Sequence, residues 1–153
     1  MKTVELKVEA VALDWKGEPV VVLREAAGQR AVFIWIGVLE ASAISLPLGN
    51  ETVSRPLTHD LIVRILEELQ AEVSRVVISD LQDVTYYAAL ELRSAGGRSI
   101  AIDCRPSDAI AVALRTNSPL FIDADLLERL EEAQQEIQQG QVTLVPPGEP
   151  TVH

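Results

Sequence analysis

Val73-Ser74-Arg75-Val76-Val77-Ile78-Ser79 is followed by Thr85-Tyr86-Tyr87-Ala88-Ala89-Leu90-Glu91-Leu92 and then by Ser99-Ile100-Ala101-Ile102-Asp103, with no helical pattern between them. β-Branched and aromatic residues fill these runs, so each reads as a strand. Asp80-Leu81-Gln82-Asp83 and Ala95-Gly96-Gly97 read as the hairpin connections. A helix follows at once. Pro106 suits a first helical position, where its missing N–H costs nothing. Ser107–Arg115 is almost wholly apolar at Ile110, Ala111, Ala113 and Leu114, which predicts burial.

Working outward, Val4, Leu6, Val8, Ala10 and Ala12 alternate with mostly polar neighbours, as in a half-buried strand. Asp14–Pro19 is a turn, Val20–Leu23 a short apolar strand, and Arg30–Ile36 a third strand, together an antiparallel meander. Leu39–Ile44 reads as a short helix that Pro47 and Gly49 should end. Thr58 is a plausible N-cap for the next helix. Leu61, Ile62, Ile65, Leu66 and Leu69 fall on one face of that helix, with Arg64, Glu67, Glu68 and Gln70 opposite. Downstream of the buried helix lie a last short strand, Leu120-Phe121-Ile122, and an acidic amphipathic helix, Asp125–Gln138.

Strands and helices in this order do not strictly alternate, which points to an α+β fold. The expectation is a single compact domain of antiparallel or mixed sheet with about four helices, spanning residues 1–138. Its core is residues 4–122 and its acidic helix 125–138; residues 139–153 read as a disordered tail.

With 153 residues and 48% hydrophobic composition, the chain is long enough for one sizeable core. Aromatics are only 4%, so Val, Ile, Leu and Ala must fill it. No segment reaches the length of a membrane span, Met1–Glu5 has no apolar signal-peptide region, and the single Cys104 fits a reducing compartment. A cytoplasmic location without membrane partners is expected. The net charge of −10 weighs against broad, non-specific nucleic-acid binding. Ten of the 13 basic residues are nevertheless Arg, the better residue for bidentate phosphate contacts.

The chemistry-bearing residues concentrate in two Arg-Pro segments, each leading into a helix. In Arg55-Pro56-Leu57-Thr58-His59-Asp60, the last two residues fall in the first helical turn. A neutral His59 there would serve as metal ligand or general base. The plainer alternative makes Asp60 a dipole-favoured acid paired with Arg64, four residues on. In Asp103-Cys104-Arg105-Pro106-Ser107-Asp108, Asp103 ends a strand and Asp108 starts a helix. Carboxylates so placed either hold a hard divalent cation or form an Asp–Arg network pinning strand to helix. Glu40, at the start of the short helix, is a third candidate, and Cys104 reads as core rather than nucleophile. There is no P-loop, G-x-G-x-x-G, His-Glu-x-x-His or Cys-x-x-Cys motif.

Four blocks carry a resemblance: Ile34-Trp35-Ile36-Gly37, Glu40-Ala41-x-Ala43-Ile44, Arg55-Pro56-Leu57-Thr58-His59-Asp60-Leu61 and Asp103-x-Arg105-Pro106-Ser107-Asp108-Ala109-Ile110-Ala111. In order, spacing and content they resemble the bifunctional nuclease (BFN) domain family, over about Val4 to Ile122. The resemblance implies a compact α+β domain with nuclease activity on RNA and DNA. One departure is Val84, where family members often place Gly, so the hairpin at Asp80–Thr85 is expected to differ in shape.

Two functions follow. The first is a phosphodiesterase acting on RNA and DNA with help from Mg²⁺ or Mn²⁺. Glu40, His59, Asp60, Asp103 and Asp108 would be catalytic, with Glu40, Asp103 and Asp108 as metal ligands. Arg55, Arg105 and Ser107 would bind the substrate. The second is a non-catalytic, homo-oligomeric binding or regulatory domain, in which the same Asp/Arg/His cluster is a structural network or a small-anion site. The first requires the helix starts to converge in space.

Overall fold

The computed structural model describes residues 1–138, so the expected tail at 139–153 lies outside the described residues. All seven expected strands form, and all join one sheet. β1 (Thr3–Leu13), β2 (Pro19–Glu25) and β3 (Ala31–Trp35) make one antiparallel meander. β4 (Glu72–Gln82), β5 (Thr85–Arg93) and β6 (Ser99–Cys104) make another. The strand that joins them is the shortest, β7 (Leu120–Asp123), antiparallel to β1 and parallel to β4. The sheet order is therefore β3-β2-β1-β7-β4-β5-β6.

A four-residue strand holds the centre of the sheet because its alternate residues are fully used. Leu120 and Ile122 are 3% and 0% exposed. They lie opposite Leu6 and Val4 on one side and Val76 and Ile78 on the other. Strand alternation puts Val21, Leu23, Val32, Ile34, Val76, Ile78 and Leu90 into the same core.

Four helices complete the α+β fold: α1 (Val38–Leu48), α2 (Thr58–Glu68), α3 (Pro106–Thr116) and α4 (Ala124–Gln138). α3 is buried from Pro106 to Ala113 except at Asp108, as its apolar sequence predicts. It packs on α1, α2, β4 and β5. No described helix is long and apolar enough to cross a membrane.

Four local expectations are corrected. α1 runs through Pro47 to Leu48 instead of stopping before it. Pro47 has no N–H to give the Ala43 carbonyl, and the Arg115 guanidinium supplies that donor from α3 at 2.6 Å. Thr58 is the first helical residue and not the N-cap; Leu57 holds the cap position, and its N–H is satisfied by the Asp60 carboxylate at 2.9 Å. Asp80 lies inside β4 opposite Tyr87, so the hairpin turn is the shorter Asp83-Val84. On α2, Ile62, Val63 and Leu66 face the core while Leu61, Ile65 and Leu69 stay exposed. That helix rests mainly on α3, which covers less of its apolar face than a sheet would.

Candidate active site at three helix starts

The starts of α1, α2 and α3 are tied together by side chains around one carboxylate. Asp108, in the first turn of α3, takes His59 Nε2 on Oδ1 at 2.9 Å. Its Oδ2 accepts Arg105 Nε at 3.0 Å, and Arg105 Nη2 reaches Oδ1 at 3.2 Å. Arg105 Nη1 then lies 3.6 Å from Glu40 in the first turn of α1. His59, Arg105, Asp108 and Glu40 thus come from both Arg-Pro segments and the third candidate helix.

Each placement has a local cause. Pro106 starts α3 and leaves Arg105 extended at the N-cap (φ −72°, ψ 149°), so its side chain folds back over the first turn to Asp108. Gly37 caps α1 in an ordinary extended conformation, so it is not needed for its backbone angles. It is needed for space: a Cβ there would sit 2.2 Å from Glu40 Oε2. Any larger residue would push the Glu40 carboxylate off its present position beside Arg105.

Electrostatics follow from this geometry. Burial pushes the Asp108 carboxyl up, but hydrogen bonds from Arg105 and His59 and their charges outweigh it, leaving it below the ordinary carboxylate value. An ionised Asp108 only accepts hydrogen bonds, so the hydrogen of a neutral His59 ring sits on Nε2. Nδ1 is then the free lone pair of a histidine whose side chain is only 11% exposed. Arg105, by contrast, is 64% exposed, which leaves its outer edge open to an anion.

Asp60 belongs to a second network. Its carboxyl is lowered first by the Leu57 N–H and then, against burial, by Arg115 at 2.7 Å. Arg64, expected to pair with Asp60, pairs with Glu68 at 3.1 Å instead. The Arg115 side chain is 8% exposed and serves Asp60, Ala43 O and Ala111 O together, so it locks α1, α2 and α3 to one another. Sequence reasoning missed Arg115. The available signal was Pro47, a helical proline that strands the carbonyl four residues earlier.

The remaining candidates separate. Asp103 is exposed on β6, one of the two edge strands. Its neighbour Cys104 packs against the core, so strand alternation turns Asp103 to the other side of the sheet from α3. Burial pushes the Cys104 thiol up to about 11, the wrong direction for a nucleophile. Arg55 is exposed and lines a separate cleft with Asp60, Arg64 and Arg115. Glu40, Asp103 and Asp108 do not gather into a carboxylate cage. Among the described residues no group of three or more His, Cys, Asp or Glu is placed to hold a metal ion. The donor set as folded, with Glu40 and Asp108 both facing Arg105, does not fit a divalent cation.

A cleft of about 640 Å³ opens beside the cluster. Glu40, Arg105 and Ser107 are among its lining residues, as are Trp35, Val84 and Tyr86. Ser107, buried at 6% exposure, still reaches this cleft. His59 and Asp108 do not line the cleft themselves; Asp108 holds Arg105, which does. The arrangement offers a fixed imidazole, an anchored but open guanidinium and a pocket beside them.

Fold and site together define a small α+β domain with a His–Asp–Arg cluster at converging helix starts. The chain belongs to the bifunctional nuclease domain family, which matches residues 21–135. It is 40% identical over 124 residues to an uncharacterized protein of Mycobacterium tuberculosis, covering 80% of this chain and 73% of that protein. It is also 28% identical over 114 residues to bifunctional nuclease 1 of Arabidopsis thaliana and 31% identical over 113 to bifunctional nuclease 2 of Oryza sativa subsp. japonica. These matches cover 72% and 71% of this chain but only 35% and 34% of the plant proteins.

Proposed function

We propose that this domain hydrolyses phosphodiester bonds of RNA and DNA at the cluster around Asp108. The observation that carries the proposal is the 2.9 Å His59–Asp108 contact, on the same carboxylate that anchors Arg105. Family membership and the plant relatives' names support nucleic acid as the substrate class.

In this mechanism Asp108 holds the His59 ring in one tautomer and stabilises its cation as it forms. Because His59 does not line the cleft, its Nδ1 takes the proton through one intervening water while the attacking water's oxygen bonds to phosphorus. The P–O bond to the leaving nucleoside breaks, solvent protonates that oxygen, and His59 returns its proton to solvent. Arg105 faces the charge that builds on the phosphoryl oxygens, and Glu40 sets the angle of Arg105. Water is the nucleophile, since DNA has no 2′-OH to attack in its place.

Ser107 in the cleft wall binds substrate. Arg55 contacts a phosphate further along the strand, and Asp60 acts through the helix-locking network. No step is assigned to Asp103 or to a divalent cation. The test is hydrolysis of single-stranded RNA and DNA by highly purified protein with and without EDTA. Activity expected to survive EDTA and to vanish in a joint His59→Ala, Asp108→Ala variant would support the proposal. Unchanged activity in that variant would point to a contaminant and overturn it.

One observation favours the non-catalytic, homo-oligomeric alternative. Leu57, Leu61, Ile65 and Leu69 form an exposed apolar line along α2. Sedimentation of the wild type against Leu61→Asp, Ile65→Asp reads this directly, with dissociation expected if copies pack there.

A further inference from the structure

The cleft beside Arg105 has a composition that the cluster chemistry does not require. Hydrolysis needs a base and a cation; it does not need an aromatic wall. Trp35 is 56% exposed, although only 4% of the chain is aromatic. Its ring is held in place. Asp14 Oδ2 accepts the indole N–H at 2.9 Å, while Asp14 Oδ1 accepts the backbone N–H groups of Lys16 and Glu18. An exposed indole tethered in this way loses little freedom on binding a flat partner. Tyr86 lines the same cleft, and Pro19, Ile36 and Val84 add apolar surface.

The cleft lining carries both signs of charge. Arg105 is its one cationic lining residue, while Glu18 and Glu40 are anionic. A phosphate is therefore stable only against Arg105. With Glu40 paired to Arg105, Glu18 and the aromatic lining suit a flat group with N–H donors on its edge, which describes a nucleobase. A cleft of about 640 Å³ falls within the ordinary range for a small-molecule pocket, roughly 300–1,000 Å³. Base–aromatic stacking tolerates any base, because every base has a π-face.

We infer that this cleft binds one unpaired nucleobase, stacked on Trp35, with the phosphate attached to that nucleoside on Arg105. The inference rests on the nuclease reading of the same site and sharpens it: the substrate is a single strand, since a base paired within a duplex cannot enter. It also gives Asp14 a purpose, as the residue that fastens the stacking ring.

Trp15→Phe leaves Trp35 as the one tryptophan, and its fluorescence then reports the cleft. Adenosine 5′-monophosphate should quench it saturably. Ribose 5-phosphate and inorganic phosphate should not, and a DNA duplex should quench far less than its separate strands. By calorimetry, Trp35→Ala should weaken nucleotide binding about 5- to 150-fold, the equivalent of one stacked base. Trp35→Phe, which keeps a ring, should recover most of that loss, and Arg105→Ala should weaken the nucleotide more than it weakens adenosine. Circular dichroism checks that each variant is folded. Equal binding of ribose 5-phosphate and the nucleotide, or a Trp35→Ala protein that is folded and binds normally, would overturn the inference. The two readings fail separately. Nucleotide binding without hydrolysis would remove the nuclease and keep the pocket. Hydrolysis indifferent to Trp35 would remove the pocket and keep the nuclease.

Discussion

Asp108 is shared by two cationic or polarisable partners, His59 and Arg105, and this sharing sets what single substitutions do. Asp108→Asn keeps the shape but removes the charge, so His59 loses its tautomer constraint and Arg105 its anchor. If His59 is the base, initial rates on single-stranded RNA and DNA should fall about 10²- to 10⁴-fold. The melting temperature should change far less than the rate; an unaltered rate would sink the assignment of His59. Arg115 belongs to the other network and behaves differently. Arg115→Ala would strand Asp60 and the Ala43 carbonyl together, so urea unfolding should show a loss of about 3–5 kcal/mol. Arg115→Lys should recover only part of it, because one ammonium cannot serve the same three acceptors in plane. The acid limb of stability follows from the direction of the shifts. Asp60 and Asp108 both lie below their ordinary value in the folded chain. Their contribution is therefore fully present above the unfolded value, about 3.9, and is lost as pH falls through the lowered folded values. Urea titrations at a series of pH values should show a shallower acid slope in Asp60→Asn and Asp108→Asn than in the parent.

At the scale of elements, the β4–β5 hairpin explains the departure at Val84. The left-handed backbone falls on Asp83 (φ 55°), so Val84 needs no glycine. Asp tolerates that region, while a β-branched residue does not. Asp83→Gly should be neutral or slightly stabilising, whereas Asp83→Val should cost about 1–2 kcal/mol, read by thermal melting. α2 shows what element-level reading leaves open. Its amphipathic pattern predicts a helix correctly, but a helix seated mainly on one other helix buries only a strip of its apolar face. Leu61, Ile65 and Leu69 have the right periodicity and remain outside it. The Pro47 stop fails for a similar reason. Proline ends a helix when its freed carbonyl has no other donor, and Arg115, 68 positions further along the chain, provides one here.

For the whole molecule, the central position of β7 makes the two meanders depend on four residues. Ile122→Ala should cost about 2–5 kcal/mol by urea unfolding, because its cavity would open where the two halves of the sheet meet. A smaller cost would mean that the meanders hold together without it. Seven strands, four helices, the burial of α3 and the blocks around His59 and Asp108 were legible in the residues alone. Those rest on period, caps and turn residues, which act over a few positions. The sheet order, the separation of Asp60 and Asp103 from the cluster, and the tie from α1 through Arg105 and Asp108 to His59 emerged with the folded chain. Those depend on contacts between residues far apart in the chain, and local pattern carries no information about which distant partner a side chain finds. The two Arg-Pro segments were legible as helix starts; that they share one carboxylate was not.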